Sequence, residues 1–422
     1  MMNTRRRRLG TVAAALLAGL CWTSSASAQS GNPIKVGMSL ALTGAGAPAG
    51  KMLQAAIEIW RDDVNAKGGL LGRPVEIIVY DDQSTPASVP GLYTKLISVD
   101  KADLLLGPYG TNFVAPVMPT IIQNKKMLIS YTAIGINDQY RYDKYFSMVP
   151  VGSDGVNAFS KGFFEMAAKQ NPKPQTVAII AADAEFAQAA AQGAREELKK
   201  HGLKLIYDKS YPPSTTDFTP VMRAVQAANA DIVYAGAYPP DSVGIVRAAN
   251  EIGLTPKMFG GALIGQLVTP IKVQLGPVQN GLVIHESFVP SPKLNFPGLD
   301  DLMKRYQAKA AELKTDSIGY AFVPFGYTNG QILDQAVTAT KSLDHEVLAK
   351  YIHSHSFKTV VGELSFGKDG EWSKPRMVLT QFQNIAPNNA DQFKAGDHQP
   401  ILWPPEYKTG EMIYPYADAR KK

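Results

Sequence analysis

The chain reads as an α/β protein of two lobes, each a parallel sheet covered by helices on both faces, with a cleft between them. Three observations predict this. Short apolar, β-branched runs alternate with longer amphipathic stretches. The alternation comes in two successive series, each about one domain long, divided near Val149. A chain of 422 residues, 45% of them hydrophobic and 19% charged, has the material for two sizeable cores.

The first series opens with Ile34–Leu40, an apolar run read as a strand. After the loop LTGAGAPAG, residues Met52, Ala55, Ala56, Ile59, Trp60 and Val64 fall on one helical face. Gly68-Gly69 ends that helix and Val75–Tyr80 returns as a strand, closing a βαβ unit. Further strands are expected at Leu104–Leu106 and Met127–Ser130. The second series starts with a helix over 154–168, followed by strands at Thr176–Ala181, Leu203–Tyr207 and Ile232–Ala235, with helices through 184–201, 218–228 and 241–252. Later helical segments, Leu299–Leu313 and Gly326–Ala339, complete one of the lobes. From Ala386 the chain is rich in Pro, Asn, Gly and Tyr without clear periodicity and reads as a wrapped tail over 387–422. Ligands of such sheets bind beyond the carboxyl ends of the strands, which selects the loops to inspect.

The N-terminus has the form of an export signal. Arg5–Arg8 make a basic region, Leu9–Trp22 an apolar run, and Ala26-Ser27-Ala28 a small-residue cleavage site before Gln29. Cys21, the one cysteine, lies inside it, so the exported chain would have no disulfide and no cysteine nucleophile or metal ligand. Leu20 stands where a lipidated Cys21 would need a small residue. The formal charge is +6, but residues 1–28 hold four arginines and no acid, which leaves +2 for the rest. So small a charge, spread so widely, does not make a nucleic-acid-binding surface.

No motif asks for covalent chemistry. Ala45–Lys51 nearly spells a phosphate-binding loop, but Met52 follows where Ser or Thr would hold Mg²⁺. The six histidines form no HExxH, and no serine sits in a GxSxG elbow. His353 and His355 lie in a polar patch and read as solvated. No catalytic residue, metal or cofactor is expected.

Four segments follow one another in a familiar order: IKVGMSLALTGAGAPAG, NAKGGLLGRPVEIIVYDDQSTP, LLLGPYGTNF and DIVYAGAYPPDSVGIVRAANEIGL. In this the chain resembles the periplasmic leucine/isoleucine/valine-binding proteins, type I substrate-binding proteins of branched-chain amino-acid and amide ABC importers, over roughly residues 33–385. The resemblance implies a monomer of two doubly wound lobes joined by a three-segment hinge, with crossings near 150, 284 and 362. Lobe 1 would then be 29–150 with 285–361, and lobe 2 151–284 with 362–386. It also implies a permease and an ATPase as partners, and a periplasmic location.

The family's ligand contacts carry over one at a time. Thr111 in GPYGTNF matches the hydroxyl residue at a helix start that holds the ligand carboxylate, where exposed N–H groups and the helix dipole favour an anion. Tyr109 and Asn112 flank it. Thr132 and Ala133 in SYTAIG fall in the next contributing loop, with Ile134 where a second hydroxyl would stand. On lobe 2, Phe186 occupies a position usually tyrosine, and Tyr238 in GAYPPD matches well. The resemblance puts Ala262 where the family has its glutamate for the α-ammonium. A cleft without that acid should reject an α-amino acid, because a buried ammonium without a carboxylate is expensive. A small carboxylate is therefore the expected ligand, favoured as an aromatic acid because Tyr109, Phe113, Tyr131, Phe186, Tyr238 and Phe325 offer flat faces. Asp183 could replace the missing acid, which would restore a branched-chain amino acid or amide as ligand. A ligand-sensing subunit and an exported amide hydrolase are the alternatives from other classes.

Overall fold

The computed structural model describes residues 31–421. The expected export signal at 1–28, with Cys21, lies outside them. The first sheet is built on β1 (Ile34–Leu40), whose side chains are nearly all buried, as a strand covered on both faces requires. It pairs in parallel with β2 (Val75–Asp81) on one side and β3 (Leu104–Leu105) on the other. An isolated parallel bridge between Leu106 and Ile129 carries the sheet on to β4 (Leu128–Ser130) and β5 (Tyr145–Ser147). The order is thus β2-β1-β3-β4-β5.

The second sheet repeats it. Strands β6 (Thr176–Ala182), β7 (Lys204–Tyr211), β8 (Ile232–Ala237), β9 (Met258–Leu263) and β10 (Val283–Glu286) stand in the order β7-β6-β8-β9-β10, all parallel. In each lobe the winding reverses beside the first strand, between β1 and β3 and between β6 and β8. A crevice forms at such a reversal.

Helix Ala47–Ala66 packs on the end of β1 through a glycine in its first turn. A Cβ at Gly50 would lie 1.9 Å from the Ala41 carbonyl oxygen, so only glycine lets helix and strand approach this closely. The same helix packs against helix Val323–Thr340, where Gly330 faces the Trp60 ring. Nearby, Asp63 accepts a two-pronged contact from Arg305 (2.6 and 2.8 Å) and the Tyr327 hydroxyl (2.7 Å).

Three expectations are corrected. The helix read over 154–168 is two helices, Gly155–Ala158 and Lys161–Ala168, interrupted at Phe159-Ser160. The crossing expected near 362 comes later: the hairpin β11 (Ser356–Thr359) and β12 (Gly362–Ser365) places Phe357, Leu364 and Phe366 in the first core, and the chain joins the second sheet only at β13 (Val378–Gln381). Finally, the stretch read as a tail supplies β14 (Ile401–Trp403), antiparallel to β13 at the edge of the second sheet. A three-residue strand is too short to declare itself by periodicity. No helix among the described residues is long and apolar enough to cross a membrane.

Candidate functional site

Loops at the carboxyl ends of both sheets line one cavity of about 360 Å³. From the first lobe come Ala45 and Gly46 after β1, Tyr109–Phe113 after β3, and Thr132 and Ile134 after β4. From the second come Ala184 and Phe186 after β6, Tyr238–Asp241 after β8, Ile264 and Leu267 after β9, and His285 in β10.

One end of the cavity gathers hydroxyls and a helix N-terminus. A parallel bridge between Tyr109 and Thr132 brings the two loops side by side. Gly110, at φ +100°, turns the chain into helix Thr111–Gln123. The first intrahelical bonds are made by Phe113 and Val114 to the Gly110 carbonyl, 3.0 Å each, so the N–H groups of Thr111 and Asn112 precede them and carry the positive end of the helix. The Thr111 hydroxyl accepts from the Ile134 N–H at 3.1 Å, which leaves its own hydrogen to donate. The Thr132 hydroxyl is buried without a partner among the described residues. Two hydroxyls and a helix N-terminus together suit a carboxylate, and among the described residues no lysine or arginine lines the cavity.

The middle is an aromatic slot. Phe186 meets Phe159 edge-to-face at 5.3 Å and Tyr238 at 6.0 Å, while Tyr109 meets Phe322 at 5.3 Å. Burial pushes the Tyr238 hydroxyl up to about 12, and Tyr109 also well above the usual phenol value, so both stay neutral. The lining holds a single carboxylate among the described residues, Asp241. It accepts from the Tyr211 hydroxyl at 3.2 Å, and burial raises its pKa.

Six of the eight residues picked from the sequence line this cavity: Tyr109, Thr111, Asn112, Thr132, Phe186 and Tyr238. Asn112 does more than was expected. Its Oδ1 accepts from the Phe186 N–H (3.3 Å) and the Tyr238 hydroxyl (2.7 Å), so it fastens the first lobe to the second. Ala133 and Ala262 are corrections. Ala133 is buried in a core beneath the loop, and its carbonyl accepts from the Ser147 hydroxyl at 2.9 Å. Ala262 lies within β9, opposite Gly236 of β8, and its side chain belongs to the second core. Tyr131 and Phe325 are likewise core residues. Asp183 is exposed and does not line the cavity. Sequence reasoning missed Phe159, which the helix break turns toward the cavity, and His285, whose one signal was its place beside an expected crossing.

Two similar α/β lobes closing on a cavity at their paired switch points define a cleft-binding receptor for a small ligand. The chain belongs to the periplasmic binding protein family, whose model matches residues 33–387. It is 25% identical over 358 residues to the Leu/Ile/Val-binding protein of Escherichia coli K12, covering 85% of this chain and 93% of that one. Among solved structures it resembles the substrate-binding protein LivJ of Streptococcus pneumoniae in complex with isoleucine (TM-score 0.71, 18% identity, 88% of this chain and 100% of that one). It also resembles a solute-binding protein of R. palustris in complex with 4-hydroxybenzoate (TM-score 0.72, 18% identity, 90% and 98%).

Proposed function

We propose that this chain is the exported substrate-binding subunit of a branched-chain amino-acid-type ABC importer and that it carries a small carboxylate, favoured as an aromatic acid without an α-ammonium. The observation that carries this reading is the composition of the cavity: an anion cradle at Thr111 and Thr132, an aromatic slot, and no carboxylate except Asp241, which is already held by Tyr211. With Ala262 in the core, the lining as a whole, rather than that one position, argues against an ammonium. A buried ammonium needs a carboxylate free to face it. The complex of the R. palustris protein with 4-hydroxybenzoate supports an aromatic acid in a fold of this kind.

A ligand touching both lobes favours the closed form by its greater affinity for it, and the permease and ATPase would read that form. No covalent step is required. The second reading, a branched-chain amino acid, has one observation in its favour, the presence of Asp241 in the lining. Thermal shifts of the exported chain, stripped of ligand by unfolding and refolding, separate the two. A ligand at ~100 times its Kd adds about 2.7 kcal/mol, or a few degrees in Tm. Benzoate- and cinnamate-type acids are expected to raise Tm and leucine to leave it unchanged; the reverse pattern sinks the aromatic-acid reading.

A further inference from the structure

The Thr111 end accounts for a carboxylate, but it does not explain a buried histidine in the same cavity. His285 is 2% exposed and lines the cavity from β10. Its Nδ1 lies 3.4 Å from the Gly261 carbonyl oxygen. A carbonyl only accepts, so Nδ1 carries the proton and Nε2 is a bare acceptor. Burial holds the imidazole pKa down to about 4, which keeps the ring neutral at pH 7. The only hydrogen bond of the ring among the described residues is the one at Nδ1, and Nε2 is left for the cavity.

The surroundings limit what can meet it. The His285 ring stands edge-on to Phe159 at 4.5 Å, and Phe159 continues through Phe186 (5.3 Å) to Tyr238 (6.0 Å), whose hydroxyl binds Asn112 beside Thr111. A train of rings thus runs from the anion cradle to the imidazole. Two residues on from His285, Ser287 also lines the cavity, and its hydroxyl makes only a 3.8 Å contact to the Met377 sulfur. This sector therefore offers an acceptor and an exchangeable hydroxyl, and no charge.

We infer that His285 is the specificity-determining residue for a hydroxyl group on the ligand: Nε2 accepts a hydrogen bond from a phenolic O–H carried by the aromatic acid, with Ser287 beside it. This rests on the aromatic-carboxylate reading above and adds to it the substituent that the cavity selects. A buried acceptor left empty by an unhydroxylated ligand disfavours that ligand.

The test is calorimetric titration of the wild-type exported chain with three matched acids on each of the benzoate, cinnamate and phenylpropionate frameworks: 4-hydroxy, unsubstituted and 4-methoxy. On whichever framework binds, the 4-hydroxy acid is expected to bind about ten-fold or more tightly than the other two, since neither can donate. In His285→Phe the 4-hydroxy acid should lose its advantage over the other two whatever affinity remains, and a cooperative thermal melt checks that the variant folds. The methyl ether keeps the assignment falsifiable without any variant: equal affinity for the 4-hydroxy and 4-methoxy acids overturns it. So does a preference that survives in His285→Phe. In both of those cases the carboxylate reading stands. If no aromatic acid binds the wild type on any framework, that reading and this assignment fall together.

Discussion

Asp82 lies directly after β2 and is 1% exposed, with its carboxylate accepting from the Ser84 N–H at 3.0 Å. Burial, with the neighbouring charge of Asp81, raises its pKa from the ordinary 3.8 to about 6. Between those values the native state holds a proton that the unfolded chain has lost, so stability falls as pH rises through that window. Above about 6 the whole penalty is present, about 3 kcal/mol before solvent screening reduces it. Asp82→Asn keeps the acceptor for Ser84 and removes the charge. It should raise Tm over the wild type at pH 8 and leave it nearly unchanged at pH 3, below both values, which thermal melts at the two pH values check. At this scale the sequence was informative at several loop positions after strands, since Thr111, Thr132, Phe186 and Tyr238 reach the cavity, whereas Ala133 and Asp183, in loops of the same kind, do not. It misled at Ala262. The strand runs on to Leu263, and residue type alone does not tell which face of a buried strand meets a cavity.

At the scale of elements, the first lobe depends on the packing of helix Ala47–Ala66 against helix Val323–Thr340. A Cβ at Gly330 would lie 2.1 Å from the Trp60 ring, which is 1% exposed and has nowhere to move. Gly330→Ala should therefore destabilise the protein by about 1–3 kcal/mol despite alanine's better helix propensity, a loss read from the midpoint of urea unfolding. An increase in stability would mean that the helices separate freely. Long apolar runs and amphipathic stretches made most central strands and helices legible. The break at Phe159 and the strand β14 were not, since one depends on tertiary contacts of Phe159 with Phe186 and His285 inside the second lobe and the other on an edge pairing some 20 residues away in sequence from β13.

For the whole molecule, Asn112 joins the lobes through Phe186 and Tyr238, bonds that any separation of the lobes would break. Tyr238→Phe keeps the ring and loses the 2.7 Å bond to Asn112. It should weaken ligand binding about three- to ten-fold and raise the open fraction in solution scattering, as expected when one hydrogen bond is removed from the closed state alone. Unchanged affinity would show that this contact does not contribute to closure. The bilobal plan was legible because each series of strands and helices was long enough for a sheet of its own. The contacts between lobes were not, because they join residues 74 and 126 positions apart.

The central claim is that the cavity holds a carboxylate and has no place for an α-ammonium. Calorimetry with pairs that differ only in that group tests it most directly: 3-phenylpropionate against L-phenylalanine, and 4-methylpentanoate against L-leucine. An ammonium buried without a free carboxylate costs several kcal/mol, so the amine-free member of each pair should bind more tightly by about 100-fold or more. Tighter binding of the amino acids would contradict the account and make Asp241 their ammonium partner.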